Sequence, residues 1–180
     1  SFIFERLKEK PVLEWDDESK FIIGEYARER GADVPDRLIS SAKSWLCNTR
    51  IDRTQPVLPW NSPEENSKVS PLTAMSMFLR HVRHAWNEEF GKDKLEDQKV
   101  VVTIPASFDA AARDLIVEAA RMAELPDVTL LEEPQAAFYS WISQGDKPWR
   151  QQVKKGDVVL VVDVGGGTTD FSLIEISEAE

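Results

Sequence analysis

Near the C-terminal end of this 180-residue chain, Asp163 and Asp170 bracket three glycines and two threonines. Gly165, Gly166 and Gly167 carry no Cβ, so the backbone there can take positive φ and a bulky anion can lie against it. Successive peptide N–H groups can then converge on phosphate oxygens, with the Thr168 hydroxyl as a further donor and Thr169 beside it. A carboxylate repels a phosphate directly. It can instead hold Mg²⁺, usually through the ion's waters, while phosphates fill the ion's other positions. A glycine triplet alone reads better as a structural turn between solvated aspartates. The flanking aspartates and threonines favour a turn that holds phosphate and magnesium.

That turn needs strands to carry it. Val158 to Val162 is an unbroken run of β-branched residues and leucine, which predicts a strand buried on both faces. Phe171, Leu173, Ile174 and Ile176 predict a second strand, so the segment from Asp157 to Ile176 reads as a hairpin.

Upstream, Lys99–Ile104 reads as a buried strand ended by Pro105. Asp109 then caps a helix over Ala110–Glu124 whose inner face is Ala112, Leu115, Ile116, Ala119 and Met122 or Ala123. Val128–Leu131 is a third strand, and Pro134 opens a helix over Gln135–Ile142. Ser70 and Pro71 have the order of an N-cap and a first helical position. The helix they start carries Leu72, Met75, Leu79, Val82, Trp86 and Phe90 as one apolar stripe, and Gly91 stops it. His81 and His84 fall on the opposite side. With no third ligand nearby in sequence they read as solvated surface histidines rather than a metal site.

The first third of the chain is less regular. Ser19–Gly31 reads as a short strand entering a helix that Gly31 ends. Asp36–Cys47 follows Pro35 and places Leu38, Ile39, Ala42, Trp45 and Leu46 at helical spacing. Leu13–Trp15 hints at a strand. Asn48–Ser70 is a connection, with Val57, Leu58 and Trp60 as a short edge strand. Ser143–Gly156 is a polar linker at a domain boundary. The resulting alternation of helices and strands is an α/β layering.

Three stretches carry a family resemblance: DVGGGTTDFSL, VVVTIPASFDAAARDLIVEAARMAEL (Val100–Leu125) and LLEEPQAAFYSW (Leu130–Trp141). The first resembles the second phosphate loop of the actin-like ATPase superfamily. The order and spacing of all three resemble the nucleotide-binding domain of heat-shock 70-kDa (DnaK-type) chaperones. The resemblance implies an actin-like ATPase (ribonuclease H-like) lobe, a mixed sheet with flanking helices, plus a peripheral α+β subdomain. Residues 1–95 would be that periphery, 96–150 the core of the first lobe, and 151–180 a linker and the opening hairpin of the second lobe.

The resemblance also implies ATP and Mg²⁺ as cofactors, with Lys43, Glu133 and Asp163 as catalytic residues. Gly165, Gly166, Gly167, Thr168 and Thr169 would bind the nucleotide, and Asp163 and Asp170 the metal. Lys43 would meet the γ-phosphate, and Glu133, before Pro134, would sit near metal and attacking water. As plain sequence features, Lys43 is a surface lysine and Glu133 favours a helix N-terminus. Pro105 and Arg113 match residues that couple nucleotide state to a substrate domain. Departures from the family pattern are Glu132 for Asn, Gln135 for Thr, Ser107 for an aromatic, and SAKSWLC around Lys43.

No D-x-G-T-T loop precedes Val158, and no later adenosine motif or peptide-binding β-domain occurs. The expectation is a piece of a longer protein that binds ATP weakly or not at all by itself, with hairpin edges open to pairing with another copy. Its parent would use ATP hydrolysis to bind and release unfolded peptides, with a J-domain co-chaperone and a nucleotide-exchange factor, in the cytoplasm under stress. The alternatives are an actin-like filament protein, a sugar kinase, or a nucleotide-sensing scaffold without turnover.

Composition bounds these readings. The apolar share of 42% supports a folded core, and 32 acidic against 22 basic residues give a net charge of −10. So acidic a chain is a poor non-specific ligand for nucleic acid or anionic membranes. Cys47 is the only cysteine, which excludes an internal disulfide and a Cys-rich zinc site. No apolar run approaches the ~18 residues of a membrane span, and no signal peptide is visible.

Overall fold

A computed structural model describes residues 2–5, 13, 20–63, 68–144, 149–165 and 169–178. The chain divides into two compact units: Ser1–Val100 with Asp109–Val128, and Val101–Phe108 with Thr129–Glu180.

The first unit begins with a three-stranded antiparallel sheet of β1 (Phe2–Glu5), β2 (Phe21–Ile23) and β3 (Leu38–Ser40), ordered β2-β1-β3. Alternation along β1 sends its side chains to two separate cores. Ile3, paired with Ile39, joins Ala42, Leu58 and Ala74 in one cluster, while Phe4, paired with Ile22, joins Ala27 in the other. With an apolar residue on each face, register here is strongly specified, because a one-residue slip would exchange the two clusters.

Two sequence expectations are corrected in this unit. Asp36–Cys47 is not one helix: a 3-10 turn at Pro35–Arg37 leads into β3, and only Ala42–Trp45 (α2) is helical. Local spacing favoured a helix, but Leu38 and Ile39 pair with Phe4 and Ile3 from the far N-terminus, and that pairing prevails. Nor does Gly31 end its helix, since α1 runs Glu25–Asp33. Gly31 is inside the helix because a Cβ there would lie 2.6 Å from both Leu38 methyl carbons. Of the Leu13–Trp15 strand hint, Glu14 and Trp15 lie outside the described residues. The Val57–Trp60 expectation reduces to one antiparallel bridge, Leu58 with Val69.

The long helix α3 (Pro71–Phe90) starts as its sequence dictates, with the Ser70 hydroxyl accepting from Thr73 N at 2.9 Å. Its buried face differs from the expected stripe. Ala74, Met75, Ser76, Leu79 and Arg83 are buried, whereas Val82 and Phe90 are exposed. Arg83 takes an inner position because it has partners there: its Nη1 donates to Glu124 at 2.7 Å and reaches Glu96 at 3.5 Å. Glu96 is held below the usual carboxylate range, first by a hydrogen bond from Asn87.

Helix α4 (Ala110–Met122) packs on α3, burying Ala112, Ile116, Ala119 and Ala120; Met122 is exposed and Ala123 takes the inner place. Asp109 caps it, accepting from Ala112 N at 2.6 Å. The helix closes with Leu125 N donating to the Ala120 carbonyl across a left-handed Glu124, a position usually given to glycine.

The second unit holds β4 (Val100–Ile104) beside β5 (Val128–Glu132), then α5 (Glu133–Gln144) and the antiparallel pair β6 (Val158–Val164) and β7 (Thr169–Glu175). The hairpin is confirmed, but β6 is not buried on both faces. Its residues alternate half-buried and exposed, because α5 packs against the hairpin's sheltered side alone among the described residues. Val164, Phe171 and Leu173 on the other side keep 73%, 70% and 72% of their surface in water.

Candidate phosphate and metal site

Register fixes the two aspartates. From Val158 opposite Glu175 to Val164 opposite Thr169, β6 and β7 pair without a bulge, and Asp163 stands directly opposite Asp170. Side chains of directly opposed residues project from the same face of an antiparallel pair. That face is the sheltered one, shared with Val159, Val161, Ser172 and Ile174. Oδ2 of Asp170 is enclosed and has no hydrogen-bond partner among the described residues. An enclosed carboxylate oxygen without a donor is costly unless a cation or its waters satisfy it, so the donor set fits a hard divalent ion. Among the described residues no group of three or more His, Cys, Asp or Glu side chains gathers around a metal position. Two carboxylates and phosphate oxygens are the donor set on offer.

Gly165 and Thr169 flank the turn and are exposed, while Gly166, Gly167 and Thr168 lie outside the described residues. Glu133 is the first residue of α5 and is half-buried, followed by a buried Pro134. β5 thus delivers Glu132 and Glu133 to a helix N-terminus within the same unit as the hairpin. A cavity of about 560 Å³ in this unit is lined by Glu132, Pro134, Gln135 and Phe138 from the β5–α5 side and by Ser172 and Ile174 from β7. Sequence reasoning missed these β7 wall residues. The signal for them is the period of two, which places Ser172 and Ile174 on the face of Asp170.

Lys43 belongs to the first unit, half-buried in α2. Ser41, two residues before it, holds a left-handed backbone with φ 54°. For a residue with a Cβ this costs on the order of 1 kcal/mol, and such strain concentrates where a side chain must be aimed. Of the coupling pair, Pro105 is buried in the second unit and Arg113 is half-buried in the first.

An α/β chain that ends in an aspartate-flanked glycine hairpin has the build of an actin-like ATPase lobe. The family model described as Hsp70 protein matches residues 18–180, and the chain belongs to the Hsp70 family. It is 30% identical over 169 residues to a chaperone protein HscA homolog of Pseudoalteromonas atlantica, covering 87% of this chain and 25% of that protein. Against the chaperone protein DnaK of Mycoplasmopsis agalactiae it is 30% identical over 161 residues, 89% of this chain and 23% of the other. Against HscA of Photorhabdus laumondii the identity is 34% over 169 residues, 86% of this chain and 25% of the relative. The chain spans about a quarter of the length of these relatives. Family membership sets the filament-protein and sugar-kinase alternatives aside. No helix among the described residues is long and apolar enough to cross a membrane.

Proposed function

We propose that the β6–β7 turn holds the phosphates of MgATP in a chaperone that couples ATP hydrolysis to binding and releasing unfolded peptides. The observation that carries this reading is Asp163 opposite Asp170, with Asp170 Oδ2 enclosed and lacking a protein donor among the described residues. Asp163 and Asp170 hold the metal's waters, and the backbone of Gly165, Gly166 and Gly167 with Thr168 and Thr169 donates to phosphate oxygens. Magnesium, when bound, supplies neutralising charge to the phosphoryl oxygens. Lys43 adds a second positive charge at the γ-phosphate, and Glu133 positions the attacking water.

The parent protein would work in the cytoplasm with a J-domain co-chaperone and a nucleotide-exchange factor. Residues 1–95, 96–150 and 151–180 would serve as periphery, first-lobe core and opening of the second lobe. The second reading, a nucleotide sensor without turnover, draws on Gln135, which stands two residues from Glu133 at the cavity wall. Single-turnover hydrolysis by the full-length parent separates the two, with Asp163→Asn and Lys43→Ala as comparators. Turnover well above the uncatalysed rate that collapses in both variants supports the enzyme. A wild type no faster than its variants leaves only the sensor.

A further inference from the structure

The cavity of about 560 Å³ between α5 and β7 lies within the second unit. From α5, Gln135, Phe138 and Tyr139 reach it at three- and four-residue steps, the spacing of one helix face. From β7, Ser172 and Ile174 reach it at the two-residue step of one strand face. Pro134, buried at the start of α5, adds to the apolar part of the wall. Both residues at which this stretch departs from the family pattern, Glu132 and Gln135, stand on that wall.

The polar groups of the lining are mostly of one kind. The Gln135 amide and the hydroxyls of Ser172 and Tyr139 are neutral, and each can both donate and accept a hydrogen bond. Glu132, the remaining polar side chain among the described lining residues, already interacts within the protein, which leaves the neutral three to meet a ligand. Gln135 and Tyr139 are exposed, so water now reaches the groups that a ligand would meet. Phe138 is braced, its ring lying 5.5 Å from that of Trp141 between centroids. A ring already ordered by a neighbour loses little freedom when it packs against a ligand.

We infer that this cavity is a binding site for a small uncharged amide carried on an aromatic or heterocyclic ring. The ring lies on Phe138, Pro134 and Ile174. The amide pairs with Gln135, whose carboxamide offers the complementary donor and acceptor, and with the Ser172 hydroxyl. The volume is ordinary for a small-molecule site and admits roughly one or two rings. Charged analogues are disfavoured, because an ion gives up water that neutral side chains replace only in part. The site does not rest on the phosphate reading, since its walls need neither magnesium nor nucleotide.

The test is a residue-resolved NMR titration of the whole chain, free of magnesium and nucleotide, with benzamide, benzoate, benzylamine and acetamide. Benzamide should shift the signals of the Gln135 side-chain amide, Phe138, Ser172 and Ile174, and should bind roughly tenfold or more tightly than the other three. Gln135→Met keeps the length of the side chain at an exposed position, so the variant folds, and it should weaken benzamide by roughly tenfold. Benzoate or benzylamine matching benzamide would overturn the neutral-amide assignment, and acetamide matching it would overturn the role of the apolar wall. Shifts that do not saturate, that fall outside these residues, or that survive Gln135→Met undiminished would overturn the site. The phosphate reading is tested apart from this, by MgATP on the full-length parent, so either can fail while the other stands.

Discussion

Asp163 and Asp170 face each other across the β6–β7 hairpin, two carboxylates in one cross-strand pair on its sheltered side. Like charges in that position destabilise a sheet by about 0.2–1 kcal/mol. The protein keeps a local repulsion that a cation would relieve. Asp163→Asn and Asp170→Asn should therefore each raise the metal-free unfolding free energy by up to about 1 kcal/mol. In the full-length parent the same changes should lower magnesium-dependent nucleotide affinity by roughly 10-fold or more. Denaturant melts without magnesium, paired with calorimetry on the parent, check both signs; a variant that loses both stability and binding contradicts the account.

Arg53 holds the cap of α4 by two parallel hydrogen bonds, Nη1 to Oδ1 of Asp109 at 3.1 Å and Nη2 to Oδ2 at 3.0 Å. The Asp109 carboxyl lies below the usual aspartate range, first because of Arg53 and next because of the Ala112 N–H. A depressed folded value means stability that is fully present above the unfolded aspartate value, about 3.9, and is lost as pH falls through the lower folded one. Arg53→Gln should lower the melting midpoint at pH 7, and only modestly, because the Asp109 carboxylate is exposed and water screens the pair. The gap from wild type should close as the pH is taken well below 4, which thermal melts across the acid range will read.

Gly31→Ala sets two effects against each other. Alanine gains about 1 kcal/mol of helix propensity over glycine. The new methyl, however, would sit 2.6–2.7 Å from three Leu38 side-chain carbons, and overpacking of that kind costs about 1–3 kcal/mol. The net expectation is a loss of about 1 kcal/mol. A cycle with Leu38→Ala should show the two changes costing less together than their sum.

The outer hairpin face, with Val162, Val164, Phe171 and Leu173, is the most exposed apolar surface among the described residues. We therefore expect that face, with the hairpin edges, to make this chain self-associate. Val164→Lys with Phe171→Lys should shift sedimentation toward monomer at concentrations where wild type associates. Unchanged profiles would rule out self-association through this face.

The sequence by itself determined whatever is written in neighbouring residues. Ser70-Pro71 and Asp109 start α3 and α4 because a cap and its N–H partner lie within three positions. Asp163, the glycines and Asp170 announce a hairpin turn because turn chemistry is local. Tertiary structure alone decided what depends on partners distant in the chain. Leu38 and Ile39 became a strand because Phe4 and Ile3 arrive beside them. Arg83 turned inward because Glu96 and Glu124 meet it there. His81 and His84, read from sequence as solvated surface residues, line a cavity because β2, some 60 residues earlier, closes its other side. In each case local pattern fixes how a segment can fold, while burial and charge pairing choose among those ways, and they act between segments that sequence spacing does not bring together.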